Sequence, residues 1–277
     1  MTDDICRTFK ELAEETWRRI FTADEVGLPW SEESNTENIL LALRTRHPHE
    51  VAVASFSKRR EAAIGADWEW WFVGRSSAYG MRVQAKRIKL SSEIFSHLHY
   101  HPKGHLHDQM TTLIMNAGKD GLLPVYCFYV ASKRRSTESV WPSALKLNLQ
   151  PISGCLIGHA QCIQGAGSND LHILAPYLLP WHLLVCGQKI GKSKDLAQTA
   201  EAAIRGALSG SLTIAPRFDD VDLDKVLLPQ RRDIPNYVRE LLAGDPAQYD
   251  VESILKEARA SARGIRGVVV FKSSSGD

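Results

Sequence analysis

The chain has 277 residues, of which 44% are hydrophobic and 24% charged, the balance of a folded soluble protein rather than a disordered one. A formal net charge of +2 is too small to declare a nucleic-acid binder, so any basic surface must be local. No apolar run approaches the roughly 20 residues of a membrane span, and the acidic, amphipathic N-terminus is unlike a signal peptide; no membrane partner and a cytoplasmic location are expected.

Apolar positions Ile5, Phe9, Leu12, Trp17 and Ile20 have helical spacing, predicting a helix over 4–20. A second helix is predicted from about Asn35 to Arg46, opened by a capping box of Ser34 and Glu37 and ended at His47-Pro48. His47 and His49 read as surface loop. Val51–Phe56 is β-branched and apolar and predicts a strand. Asp67–Val73 and Met81–Ile88 predict two more, joined by a turn over 74–80. Three consecutive strands with short connections predict an antiparallel meander. Leu106 to Ala117 is helical in spacing and Leu123–Val130 is a near-continuous apolar strand, so the third strand, this helix and the fourth strand should form a parallel βαβ step. Beyond residue 131 the periodicity weakens. Short strands are expected near 153–160 and 171–173, a strand or helix over 178–185, helices over 196–208, 234–242 and 251–262, and a last strand over 267–271.

The five cysteines are scattered and form no Cys-x-x-Cys, which fits a reducing compartment and argues against a zinc ribbon or a disulfide framework. Cys127 and Cys186 lie in apolar runs and read as core filler. Gly187 to Ser193 imitates part of a phosphate-binding loop but lacks its first strand and spacing.

The chemistry concentrates between Gly65 and Lys89. Strand alternation puts Gln84 and Lys86 on one face, about 7 Å apart, and Asp67 and Glu69 share a face on the preceding strand. If the two faces coincide, a carboxylate, an amide oxygen and an ammonium meet across the pairing. Phosphodiester hydrolysis needs a cation on the phosphate, an activated water and positive charge for the developing negative charge. Magnesium takes oxygen ligands. Asp67, Gln84 and the Ala85 carbonyl offer them, with Lys86 beside them. Arg87, Lys89, Lys58, Arg59 and Arg60 could hold phosphates nearby. Each residue also has a plain structural role open to it: Asp67 as the end of a turn, Glu37 as a cap, Glu69 as a solvent-facing strand residue, and Lys86 as an edge charge. Trp68, Trp70 and Phe72 share a face and should pack in the core.

The helix–strand–strand–strand–helix–strand order, with Gly65-x-Asp67 followed by Gln84-x-Lys86, resembles the PD-(D/E)XK nuclease superfamily, in the variant similar to Mrr-type restriction enzymes and bacterial defence nucleases. The resemblance covers roughly residues 33–130. It implies an α/β fold with a restriction-endonuclease-like core, a mixed sheet flanked by helices. It also implies Mg2+ or Mn2+ as cofactor and nucleic acid, DNA before RNA, as substrate. It gives Asp67 and Gln84 as metal ligands and Lys86 as the catalytic lysine. A glutamate of the first core helix often joins such a site; Glu37 is the best match, with Glu33 in reserve. Gln84 is neutral where the superfamily has an acid, so metal affinity leans on Glu37 or Glu69. The expected organisation is an N-terminal helix and loop (1–32), a nuclease-like core (33–131) and a C-terminal α+β extension (132–277). A homodimer or a defence-system protein partner would fit such an enzyme. The alternative is a catalytically inactive module of the same fold that binds nucleic acid or a protein.

A rival constellation is His97-x-His99-x-His101 followed by His105 and His107, whose alternation could gather zinc ligands. Gln109 opens the next helix as a polar residue that could face the site.

Overall fold

Trp68–Val73 (β2) and Ala78–Arg87 (β3) form an antiparallel hairpin, closed by the Gly74 N–H donating to the Ser77 carbonyl at 2.9 Å. The computed structural model describes residues 4–55, 67–104, 106–133, 150–186, 195–212, 233–243, 254, 256 and 265–273. The other strands are β1 (Val51–Ser55), β4 (Leu123–Tyr129), β5 (Cys155–His159), β6 (Leu178–Pro180) and β7 (Gly267–Lys272). The described strands form one seven-stranded mixed sheet in the order β1-β7-β2-β3-β4-β5-β6. With its flanking helices it makes an α/β architecture.

The β3–β4 pair is parallel and is bridged by helix α3 (Gln109–Asp120), as the βαβ pattern predicts. Asp108 caps α3 by accepting from the Thr111 N–H at 2.6 Å, and Gly121 ends it in a left-handed conformation at φ 62°. The meander is corrected. β7 lies between β1 and β2, antiparallel to the first and parallel to the second. Gly267 makes that insertion possible: a Cβ there would sit 2.3 Å from the Trp68 ring and 2.4 Å from the Ala54 carbonyl oxygen.

The two faces of the sheet divide cleanly. Trp68, Trp70 and Phe72 register with Val83, Met81 and Tyr79, and all are buried. Helices α1 (Ile5–Glu25) and α2 (Glu32–Arg46) cover this side, through Phe9 against Phe271 and through Thr36 hydrogen-bonded to the Tyr129 hydroxyl at 2.6 Å. Helix α6 (Leu196–Leu212) packs on β2 and β3, with its Glu201 and Arg205 close enough to Tyr79 for their charges to act on it. The opposite face carries Glu69, Arg82, Gln84 and Lys86 and lies under α3.

Several expectations change. Helix α1 runs on to Glu25, and α2 starts at Glu32 because Ser31, not Ser34, is its cap, accepting from the Ser34 N–H at 3.0 Å. His47 is no surface residue: it is 2% exposed, held by Thr8 at 2.8 Å and Glu50 at 2.9 Å. Residues 171–173 are helix α5 (Leu171–Leu174) rather than strand, because Asp170 caps the turn. α5 follows helix α4 (Ala160–Ala166). Cys186 is not core filler but is disulfide-bonded to Cys6 on α1, while Cys127, Cys155 and Cys162 are buried thiols. The helix expected over 234–242 is α7 (Asn236–Ala243). The strand predicted over Val51–Phe56 is β1, with Phe56 outside the described residues, as are Lys58, Arg59, Arg60, His105 and the Gly187–Ser193 stretch. Among the described residues no helix is long and apolar enough to cross a membrane.

Candidate functional site

The hairpin register decides the site. Asp67 immediately precedes β2, and its N–H donates to the Val83 carbonyl at 2.8 Å, which continues the Trp68–Val83 pairing. Asp67 and Gln84 therefore face each other on one side of the sheet, with Lys86 one pleat further on. Gln84 Nε2 donates to Asp67 Oδ2 at 2.6 Å, and the Ala85 backbone N–H donates to the same oxygen at 3.0 Å. Helix α3 then lays Gln109 over the strand. Lys86 Nζ donates to Gln109 Oε1 at 2.7 Å, and Gln109 Nε2 donates to Gln84 Oε1 at 3.2 Å.

The result is a chain of four side chains, Lys86 to Gln109 to Gln84 to Asp67, with a donor at one end and an acceptor at the other. An ammonium can only donate and an ionised carboxylate can only accept, so the ends fix which way both amides point. Each bond polarises the next. Lys86 and Gln84 are only 4% and 2% exposed.

A fifth group comes from the far end of the chain. Arg266, just before β7, lies alongside Asp67 because β7 runs parallel to β2, and its N–H donates to the Asp67 carbonyl at 2.6 Å. Its guanidinium bridges two carboxylates: Nε lies 3.4 Å from Asp67 Oδ1 and Nη1 2.7 Å from Glu33 Oε1. Glu33 and Glu32 sit in the first turn of α2.

Burial pushes the Asp67 carboxyl up to about 6; the Arg266 charge and the Ala85 N–H pull it back, and the Glu32 charge adds to the rise. Burial lowers the Lys86 ammonium from its ordinary value, against the pull of the Glu32 and Asp67 charges. A cleft of about 620 Å³ opens beside the lysine, lined by Glu32, Glu33, Lys86, Arg87, Lys89 and His97 among others.

Other expected residues stand apart from this group. Glu69 shares the face but is sealed at 0% exposure, accepting from Arg82 at 3.1 Å, from the Trp71 indole at 2.6 Å and from the Tyr237 hydroxyl of α7. Glu37 is exposed on α2, while the glutamates brought to the site are Glu33, the expected reserve, and Glu32 beside it. Of the histidines, His97 lines the cleft, His99 meets the Ser168 carbonyl at 3.2 Å, and His101 is exposed. Among the described residues no three His, Cys, Asp or Glu side chains gather as a metal-ligating group. Arg266 escaped sequence reading altogether, since a lone arginine before a short strand carries no local signal.

The donor chemistry nonetheless suits a hard divalent cation. Asp67 and Glu33 are oxygen donors that already share one positive group, the Arg266 guanidinium, which marks where a cation is favoured, whereas the Gln84 oxygen, expected as a ligand, is turned away from Asp67 onto Gln109. Neither the curated proteins nor the solved structures yield a match to this chain. A family described as a family of unknown function, DUF6615, matches residues 5–277, nearly the whole length. The chain therefore belongs to the DUF6615 family.

Proposed function

We propose that the protein is a metal-dependent nuclease with a restriction-endonuclease-like core, hydrolysing phosphodiester bonds, with DNA the preferred substrate. The observation that carries this reading is the hydrogen-bonded run of Asp67, Gln84, Gln109 and Lys86 on one sheet face, beside a cleft rimmed by Arg87, Lys89 and His97. The α2-β1-β2-β3-α3-β4 order supports it, with the insertion of β7 as this chain's own departure.

Asp67 and Glu33 would hold Mg2+ or Mn2+, with Gln84 orienting the Asp67 carboxylate. When bound, the ion would polarise the phosphate and favour hydroxide at neutral pH. Lys86 supplies positive charge where negative charge develops, in a site where burial makes that charge count for more than in water. Gln109 fixes the ammonium by accepting from it, and Gln84 fixes the carboxylate by donating to it. Arg87, half-buried, and Lys89, exposed, present cations at the cleft to position the backbone of a nucleic acid. A place in bacterial restriction or phage defence, acting as a homodimer or with a protein partner, would follow from the resemblance.

A second reading, a non-catalytic binding module, is favoured by one observation: Arg266 already pairs with both Asp67 and Glu33. The deciding experiment incubates the protein with plasmid, single-stranded DNA and RNA in Mg2+, Mn2+ or chelator. Cleavage that needs the metal and falls about 10²–10³-fold in Lys86→Ala, with melting temperature kept, supports the enzyme. A wild-type protein inert with every substrate and both metals supports the module.

A further inference from the structure

The position of Arg266 is the least expected feature of the site. It comes from a strand threaded between β1 and β2, and its guanidinium spans two carboxylates carried by different elements, Asp67 before β2 and Glu33 on α2. A planar guanidinium with its donors arranged as a fork suits such a bridge. The group is also placed to leave. Its side chain is 37% exposed and Glu33's 39%, whereas Asp67 behind them is 14% exposed. The Arg266 backbone stays anchored by its bond to the Asp67 carbonyl whatever the side chain does.

We propose that Arg266 is a resident counter-cation that competes with the divalent metal for Asp67 and Glu33, so that metal binding requires its guanidinium to give up these carboxylates. This rests on the nuclease reading above. The physical reason is simple. Carboxylate lone pairs directed at a guanidinium are not available to a metal, and a divalent ion entering between the same two carboxylates repels the arginine. Arg266 sets the cation concentration at which the site fills, and it frees a guanidinium beside the cleft only once a metal has replaced it.

The test measures binding without nucleic acid and without turnover. Manganese affinity is read by electron paramagnetic resonance of the free ion in wild type, Arg266→Gln, Arg266→Lys and Asp67→Ala. The expected result is affinity at least fivefold tighter in Arg266→Gln, a smaller gain in Arg266→Lys, whose point charge cannot span both carboxylates as the guanidinium does, and loss of binding in Asp67→Ala. Independently of any variant, the arginine Nε–H resonance of Arg266 in 15N-arginine-labelled wild type should shift on titration with Mg2+. Manganese binding that depends on Asp67 but is unchanged or weakened in Arg266→Gln, or an Arg266 resonance unmoved while Mg2+ binds, overturns the inference alone. Absence of Asp67-dependent binding in both wild type and Arg266→Gln overturns it together with the metal-dependent nuclease reading.

Discussion

Two clusters of charge lie on the same face of the same hairpin, and they are built in opposite ways. At one end, Glu69 and Arg82 meet directly at 3.1 Å, with Asp120 of α3 at 2.7 Å from the same guanidinium nitrogen. Both side chains are sealed, at 0% and 1% exposure, under α3 and the Tyr237 hydroxyl of α7. At the other end, Asp67 and Lys86 do not meet but are joined through two neutral amides, and the lysine borders an open cleft. The direct pair is closed off by its cover: even Arg82 Nε and Nη1, which find no hydrogen-bond partner among the described residues, are sealed from any ligand. The relay keeps its two charges apart, so the ammonium borders the cleft and the carboxylate is shared with Arg266, a partly exposed guanidinium that a ligand could displace. Acid and base on one strand face are therefore not enough to mark a site; the intervening groups and the cover decide.

Substitution should separate the two clusters most sharply in what each one costs. Arg82→Ala leaves Glu69 buried and uncompensated, and is expected to destabilise the fold by about 3–5 kcal/mol, read as a lower urea midpoint. Lys86→Ala should move that midpoint much less while lowering metal-dependent cleavage about 10²–10³-fold. Equal stability losses in the two variants would mean that the Lys86 relay is a structural brace like its neighbour.

That comparison was half legible in the amino-acid sequence. Alternation alone placed Gln84 with Lys86 and Asp67 with Glu69, but whether the two faces coincide waited on the register, because the expected turn over 74–80 is in fact a four-residue connection, 74–77. Alternation fixes the face but not what covers it, so Glu69 could not be told from Asp67; the difference is Tyr237, which arrives from the distant helix α7. The preference for Glu37 over Glu33, and the omission of Glu32, turned on a helix start misjudged by three residues, because Ser31 and Ser34 are equally good caps by composition. Arg266 and the disulfide of Cys6 with Cys186 depend on pairing between ends of the chain, for which one sequence holds no periodic signal.

Acidity offers a milder probe of the open cluster. The Asp67 carboxyl sits at about 6 in the fold against 3.8 for an ordinary side chain. With the folded value raised, the native state holds the proton more tightly. The stability this gives is fully present below about pH 4 and is lost as pH rises through about 6. Asp67→Asn removes a charge that the fold carries at a cost, so the variant should be more stable than wild type at pH 8 by about 1–3 kcal/mol, and the gain should vanish near pH 4. Cleavage should follow the opposite course, rising as pH passes through about 6 because only the ionised carboxylate holds a cation. Thermal melts of both proteins from pH 4 to 8 check the first arm. An Asn variant less stable at every pH would show that the Arg266 ion pair outweighs the burial of Asp67.

The smallest effects should come from the rim, where the cations face water rather than one another. Lys89 is exposed, and Arg87, one residue beyond Lys86, is half-buried at the mouth of the cleft. Neither is bound into the relay. Charges of this kind contribute to binding mainly by releasing counterions from phosphate, a sequence-independent gain that salt removes. Lys89→Ala and Arg87→Ala should each weaken DNA binding about two- to fivefold at moderate salt, and each should lower the slope of log affinity against log salt by about one. Fluorescence anisotropy with a labelled duplex in Ca2+, across a salt series, measures both. A matching loss in Arg82→Ala, whose charge is sealed beneath two helices, would mean that the weakening reports lost folding rather than lost phosphate contacts, and it would remove the distinction between the open and closed ends of this hairpin.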